Sequence, residues 1–256
     1  MNFQGGDVLY SFVDLHNHCL YGIDDGANDN SMMESMLNIA YKDGIKVICL
    51  TPHFKIYKFN DEDEIDEYNS IISHRFQKAL DYAKSTFPDM TLLIGNEIMY
   101  HNDICDSISS LHCAKIGNGS HVLVEFSPHV SEYDLKNGLL KLLRKGYKPI
   151  LAHFERYECI IKKPTLLHEI KELGATIQIN SNSVLKFGFG KVVKLIKWAL
   201  RKQLVDIVCT DAHNDTTISP NLSKAHNKVL KKYGEEYAKK IFHDNQISIL
   251  KLNNIN

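Results

Sequence analysis

The chain has 256 residues, 44% hydrophobic and 24% charged, with Lys+Arg 30 against Asp+Glu 31 and a formal net charge of −1. That core content suits one large domain over residues 1–256, since an α/β barrel uses roughly 250 residues as a single unit. The charge balance argues against a protein held to nucleic acid by phosphate contacts, which needs a basic face, although a local basic patch stays open.

No apolar run approaches the roughly 20 residues of a membrane span, so direct membrane insertion is not expected. The first residues, MNFQGGDVLYSF, show neither the basic segment nor the long apolar segment of a signal peptide, and a cytoplasmic protein is expected. In chain order, strands are predicted at Val8–Asp14, Lys46–Leu50, Thr91–Ile98, His121–Glu125, Pro149–Ala152, Thr176–Ile179 and Asp206–Cys209. Between them run helical stretches. Ser31-Met-Met-Glu34 reads as a capping box opening a helix to about Asp43, with Gly44 at its end. Asp61–Glu67 places acids at the positive end of a helix reaching about Thr86. Ser131–Lys145 ends at Gly146, and Pro164–Leu173 opens on a proline and ends at Gly174. Gly188-Phe-Gly190 lacks the third glycine of a dinucleotide loop, because Val193 stands there. It reads as a plain loop before the helix Lys191–Lys202. Strand–helix alternation over about seven units predicts an α/β barrel, closed or nearly so, with an open doubly wound sheet as the alternative.

The chemistry-bearing residues gather where those strands end. His16 and His18, followed by Asp24 and Asp25, come after the first; His53 follows the second. Glu97 lies late in the third, Glu125 in the fourth, His153 after the fifth, and Asp211 and His213 after the seventh. In a barrel these ends converge on one face. Glu97 and Glu125 stand in the apolar runs LLIGNEIMY and HVLVEF. A buried ionised carboxylate there costs several kcal/mol unless a cation or hydrogen bonds compensate. With one of Asp24 and Asp25 the set has nine members, too many for one ion that needs about three protein ligands. Two or three divalent ions with a bridging carboxylate are expected. The eight other histidines, His74, His101, His112, His121, His129, His168, His226 and His243, read as surface or core residues. None of the six cysteines forms a C-x-x-C pair. Cys49 and Cys209, in strand-like runs, read as small buried hydrophobes.

Taken together, DLHNH (14–18), DDGA (24–27), TPHF (51–54), GNEIMY (95–100), LVEFS (123–127), AHFERY (152–157), QINSNSVL (178–185) and TDAHN (210–214) carry a resemblance. The chain resembles the PHP superfamily, and within it the bacterial manganese-dependent protein-tyrosine phosphatases of capsule and exopolysaccharide operons. The amidohydrolase pattern fits less well, since it wants a bridging lysine and another late histidine. The resemblance implies a distorted (β/α)₇ TIM-like barrel of the PHP type. It implies one metal held by His16, His18, Glu97 and Asp211, a second by Glu97, Glu125 and His153, and a third by Asp25, His53 and His213, with Mn expected and Fe, Zn or Co compatible. It implies hydrolysis of phosphotyrosine by a metal-bound hydroxide, with Arg156 on the phosphate and Glu97 and Asp211 serving catalysis through the metals. The implied partner is the phosphotyrosine-bearing tail of a tyrosine autokinase that regulates polysaccharide synthesis. No cysteine is followed six positions later by arginine, so the nucleophile loop of cysteine-dependent phosphatases is absent. One departure stands out: Ile218 lies about where such relatives carry a second arginine, and Lys55 or Lys186 are the candidates to replace it. Two other readings stay open, a small-molecule phosphoesterase of the histidinol-phosphatase kind and a metal-stabilised scaffold that binds the kinase without catalysis.

Overall fold

The computed structural model describes residues 10–110, 112–117 and 119–251. The strands are β1 (Phe12–Asp14), β2 (Ile45–Leu50), β3 (His53–Phe54), β4 (Thr91–Ile94), β5 (Glu97–Met99), β6 (His121–Glu125), β7 (Lys148–Leu151), β8 (Thr176–Asn180) and β9 (Ile207–Cys209). Every ladder is parallel, in a three-stranded sheet β1-β2-β4 and a six-stranded sheet β3-β5-β6-β7-β8-β9.

The stretch expected as one strand, Thr91–Ile98, is broken at Gly95-Asn96, and the second strand has an unexpected continuation after Thr51-Pro52. The two breaks lie side by side. Pro52 has no N–H to continue a ladder, and Asn96 occupies the gap, donating from Nδ2 to Pro52 O at 3.0 Å and accepting at Oδ1 from Ala114 N at 2.7 Å. The backbone carries the pairing across, Gly95 N to Leu50 O at 2.8 Å and Glu97 N to Pro52 O at 3.2 Å. With each interrupted strand counted once, seven units remain. A parallel bridge between Asn17 and Ala212 joins the first strand's end to the last. The two sheets therefore curl into the distorted barrel expected from the sequence, and the open doubly wound alternative falls away.

Alternation along the strands sorts the barrel interior by depth. Val47, Cys49, Leu123, Ile150, Ile207 and Cys209 belong to an inner apolar cluster that also takes in Ile249 and Leu250 from near the chain's end. The intervening Ile48, Leu50, Val122, Val124, Leu151, Ile177, Ile179 and Val208 belong to the outer core under the helices. Two positions beyond an inner Leu123 stands Glu125, two beyond Cys209 stands Asp211, and next to Ala152 stands His153. The interior is thus apolar at the strand starts and polar at their ends.

The helices are α1 (Asn30–Lys42), α2 (Glu62–Thr86), α3 (Ile104–Ser109), α4 (Glu132–Arg144), α5 (Glu158–Lys162), α6 (Leu166–Leu173), α7 (Ser181–Leu185), α8 (Lys191–Arg201), α9 (Ser223–Tyr233), α10 (Glu235–Lys239) and α11 (Asn245–Leu250). The capping box read at Ser31 is corrected. Asp29 is the cap of α1, its side chain accepting from Met32 N at 2.9 Å, and Ser31 lies inside the helix. Pro164 likewise precedes α6 in a turn, accepting from Leu167 N at 3.1 Å, instead of opening the helix. Asp61 and Ser131 cap α2 and α4 as the acidic and Ser-led starts suggest. Of the first expected strand, residues 8–9 lie outside the described residues, and the strand begins at Phe12.

Candidate metal centre

All nine residues singled out from strand ends meet at one end of the barrel. Three overlapping groups have potential ligand atoms close together: His16, His18, Glu97 and Asp211; His53, Glu97 and Glu125; and His18, Asp25, His53 and His213. His153 joins the second, its Nε2 2.8 Å from Glu97 Oε1 and 3.8 Å from Glu125 Oε2. The eight histidines read as surface or core take no part in these groups. His226, for example, is buried against Tyr10, whose hydroxyl lies 2.7 Å from its Nε2.

The first group is the tightest. His16 Nε2 is 3.3 Å from His18 Nε2 and 3.2 Å from both Glu97 Oε1 and Asp211 Oδ1. His18 Nε2 is 3.4 Å from Glu97 Oε2 and from Asp211 Oδ1. Atoms spaced this way sit about 2 Å from their common centre, the length of a bond from imidazole or carboxylate to zinc or magnesium.

The ring orientations fit the same purpose. His18 Nδ1 donates to Asp24 Oδ2 at 2.8 Å, His213 Nδ1 to Asp211 O at 2.9 Å, and His16 Nδ1 to Gln178 Oε1 at 3.3 Å. Each bond holds its ring with Nε2 turned into the cluster, the nitrogen that a metal-ligating histidine would present once it gives up its proton. His53 Nδ1 lies 2.9 Å from Glu97 Oε2 and 3.2 Å from Glu125 Oε1, aligned for a hydrogen bond to neither. Glu125 Oε1 and His153 Nδ1 are also buried without a hydrogen-bond partner among the described residues. Leaving such atoms unmet costs about 1–3 kcal/mol each, so the donor set is one that a divalent cation completes.

Sequence reasoning named Asp24 beside Asp25 without giving it a part of its own, and gave none to Gln178 and Asn180. Asp24 accepts from His18, from His53 N at 2.9 Å and from Gly26 N at 3.0 Å. Asp25 is 72% exposed and faces His53 Nε2 and His213 Nε2 at 3.4 and 3.6 Å, so the two adjacent acids do different work. A Cβ on Gly26 would sit 2.1 Å from His18 O, so only glycine lets the loop pass. On β8, Gln178 accepts from His153 N at 2.7 Å and Asn180 Nδ2 donates to Asp211 Oδ2 at 2.6 Å. Their period-two spacing in an otherwise apolar strand was the available signal. His153 and Asp211 are two of four described non-glycine residues with positive φ, at 31° and 51°. Strain of this kind concentrates at functional sites.

The electrostatics show a pocket short of positive charge. Burial alone would raise Glu97, but His16, His153 and His18 around it hold its pKa well below the usual range. Asp211 is lowered in the same way, burial opposed chiefly by His16 and His18. Burial disfavours charge on His18, yet the acceptors Asp211, Asp24 and Glu97 outweigh it and its pKa stands well above the ordinary value. His53 is raised to about 9, burial again overcome by Glu125 and Glu97. Burial would raise Asp24 too, but the His18 bond and the two N–H donors bring it to about 2.

Arg156 lies on the rim. Its Nη2 donates to Asp211 Oδ2, with the side chain 48% exposed, so its partner is a member of the cluster and not the neighbouring Glu155. Beside the cluster a cavity of about 410 Å³ is lined by Asp25, His53, Ile23, Lys55, Phe59 and Tyr68 among others. Lys55 therefore faces the cluster's surroundings, whereas Lys186 lines a separate crevice with Val193 and Lys228. Ile218 is 41% exposed, and its carbonyl accepts from His213 N at 2.9 Å.

Comparison with known proteins agrees with this site. The tyrosine-protein phosphatase CpsB of Streptococcus pneumoniae is 29% identical over 243 residues, 93% of this chain and 98% of that protein. The tyrosine-protein phosphatase YwqE of Bacillus subtilis is 31% identical over 228 residues, 88% of this chain and 86% of that protein. A crystal structure from work on these two, described as unique metal-dependent tyrosine phosphatases, superposes with a TM-score of 0.76 at 26% identity, covering 95% of this chain and 96% of the other. An Escherichia coli phosphotriesterase homology protein shares the fold alone, at TM-score 0.60 and 10% identity over 94% and 98% of the two chains. The profile of the family described as capsular polysaccharide synthesis, CpsB/CapC, matches residues 12–251, and the chain belongs to that family.

Proposed function

We propose that this chain is a metal-dependent phosphotyrosine-protein phosphatase. The observation that carries the reading is the convergence of five imidazoles and four carboxylates beside a half-exposed arginine. His16, His18, Glu97 and Asp211 would hold one divalent ion, Glu97, Glu125 and His153 a second, and Asp25, His53 and His213 a third. The mixed nitrogen and oxygen donors suit Mn, and also Fe, Zn or Co. When bound, such ions acidify water to a nucleophile at neutral pH and neutralise charge on a transferring phosphoryl group.

The chain's own groups do the rest. Glu97 lies within 3.4 Å of His16, His18, His53 and His153 and would be shared by the groups that hold neighbouring ions. Arg156 presents a planar fork at the rim and would take two phosphoryl oxygens, a charge-assisted pair that strengthens as charge develops. The adjoining cavity offers Ile23, Phe59 and Tyr68 to an aromatic ring and Lys55 to its acidic surroundings. The cysteines are poor candidates for a nucleophile: burial raises all six thiols, with Cys49 and Cys113 at about 12, which disfavours a thiolate at neutral pH. By family the substrate would be the phosphotyrosine-bearing tail of a tyrosine autokinase regulating capsule or exopolysaccharide synthesis. Hydrolysis of a phosphotyrosine peptide and of histidinol phosphate, side by side with added Mn, tests the reading. Faster turnover of the peptide is expected. A preference for histidinol phosphate would replace this reading with the small-molecule one, and no turnover of either would leave a scaffold.

A further inference from the structure

We propose that the face built by α8, α9 and the loop 186–190 docks on the surface of an anionic lipid bilayer, going beyond the phosphatase reading and independent of it. Charge is the first observation. Between Glu172 and Asp206, and again between Asp215 and Glu235, the sequence has no acidic residue, yet these two stretches hold ten of the chain's 30 lysines and arginines. Lys191, Lys194, Lys197 and Arg201 are the exposed residues of α8, while Val193, Leu195, Ile196, Ala199 and Leu200 are buried. Lys197, Lys232 and Tyr233 line one shared depression of about 470 Å³ with Lys194, Trp198 and Arg201, so the two helices form one face. Among the described residues none of the ten cations pairs with a carboxylate. Lys228 is shifted downward, by burial first and by its neighbours Lys232 and Lys197 next, as expected where cations crowd.

The second observation is apolar. Phe187 and Phe189 are 85% and 88% exposed, the two most exposed of the large hydrophobic side chains. They alternate with glycines in Lys186-Phe-Gly-Phe-Gly190 between α7 and α8, and no Cβ neighbour lies within 4 Å of Gly188 or Gly190. The loop's base is held: Lys228 Nζ donates to Val184 O at 2.8 Å and sits 4.5 Å from the Phe187 ring centre, and Lys197 Nζ donates to Gly188 O at 3.3 Å.

A protruding aromatic pair ringed by unpaired cations is the pattern of an interfacial anchor, the rings entering the acyl boundary while the cations meet acidic headgroups. An acidic polypeptide would use the cations but has no need of two rings standing clear of the surface. The loop follows the C-terminal end of β8, where Asn180 donates to Asp211. Docking by this loop would therefore bring the metal-centre end of the barrel toward the bilayer, and with it any substrate tethered there.

Co-sedimentation of the metal-loaded protein with vesicles of phosphatidylcholine alone, or with about one third phosphatidylglycerol, tests this. Binding only to the anionic vesicles is expected, lost at high salt. Phe187→Ser with Phe189→Ser should weaken it about tenfold or more, and Lys194→Glu with Lys197→Glu by at least as much. Both variants should keep wild-type hydrolysis of a small soluble aryl phosphate, which shows that they fold and separates this test from that of the phosphatase reading. Failure to bind anionic vesicles at low salt overturns the proposal. So does binding that the phenylalanine pair does not affect, together with equal binding of polyglutamate, which would point to an acidic protein partner.

Discussion

Changing Asp24 to Asn probes how the cluster is held together. Asp24 Oδ2 accepts from both His18 Nδ1 and His53 N, and Oδ1 accepts from Gly26 N. Asparagine keeps one carbonyl oxygen and turns an NH₂ toward donors on the other side. Either the Gly26 N–H or the His18 and His53 pair then faces another donor, at a cost of about 1–3 kcal/mol. The carboxylate's pKa of about 2, against 3.8 for the free group, gives a second measure. A lowered pKa stabilises the fold at pH values above the unfolded value, here by about 2 kcal/mol, and that contribution is lost as pH falls toward 2. For function, losing the charged acceptor behind a ligating histidine lowers metal affinity by about 10–100-fold. Titrating chelator-treated protein with Mn while following activity should show half-saturation shifted by that factor, with turnover at saturating metal little changed. Asp25→Asn should instead leave stability nearly untouched and reduce the number of ions bound. If Asp24→Asn bound Mn within about threefold of the parent, the orientation of His18 does not rest on this carboxylate and the reasoning fails.

Glu97→Gln should abolish turnover and lower the metal content, because an amide cannot serve two ions, whereas His226→Gln should keep its metals; elemental analysis beside kinetics decides. Arg156→Ala should lower kcat/KM on phosphotyrosine by about 10²-fold or more with metal content intact, and wild-type kinetics would make the arginine structural. The metal-free protein should lose stability as pH rises from 6.5 through 9. The raised pKa of His53, beside the carboxylates of Glu125 and Glu97, favours the fold fully below 6.5 and no longer does so above 9. The metal-loaded protein, with neutral imidazoles, should lack that slope, and thermal melts of both forms across this range would show it.

The parts of the fold that could be read from the sequence are those set by local periodicity. Ile45–Leu50 and His121–Glu125 are short β-branched runs bounded by helices, and their ends fell within a residue or two of expectation. The break at Gly95-Asn96 could not be read. It exists because Pro52, distant in sequence, interrupts the neighbouring strand, and Asn96 answers a carbonyl that only the tertiary pairing brings near. The cap at Asp29 was missed for a milder reason: Ser31 also satisfies the pattern, and only the backbone shows that Asp29 is the extended residue whose side chain accepts from Met32 N. The ligating types at strand ends were visible because chain direction alone puts them on one rim. What lies behind them was not. Asp24 and Asp25 are adjacent and chemically identical, and only the path of the loop past Gly26 turns one inward to His18 and leaves the other open.

Net charge conceals how differently the two ends of this chemistry are charged. Glu97, Glu125, Asp211 and Asp24 crowd the barrel mouth, where Arg156 and the surrounding imidazoles face them and bound cations would balance them further. On the α8–α9 flank Lys186, Lys194, Lys197, Arg201, Lys228 and Lys232 gather without a carboxylate partner among the described residues, and over the whole chain the sum is −1. The position where the resemblance leads one to expect a second arginine holds Ile218, whose loop is tied down by Asn214 Oδ1 accepting from Thr216, Thr217 and Ile218 N at 2.8–3.1 Å. That loop holds His213 through Ile218 O and offers no cation to a phosphate. On the proposed reading, attraction of a phosphoryl dianion at the mouth would fall to Arg156, to Lys55 in the adjoining cavity and to any cations the cluster binds. The two charge systems share no residue, so substitutions on the flank should move vesicle binding without moving chemistry, and Arg156→Ala should do the reverse.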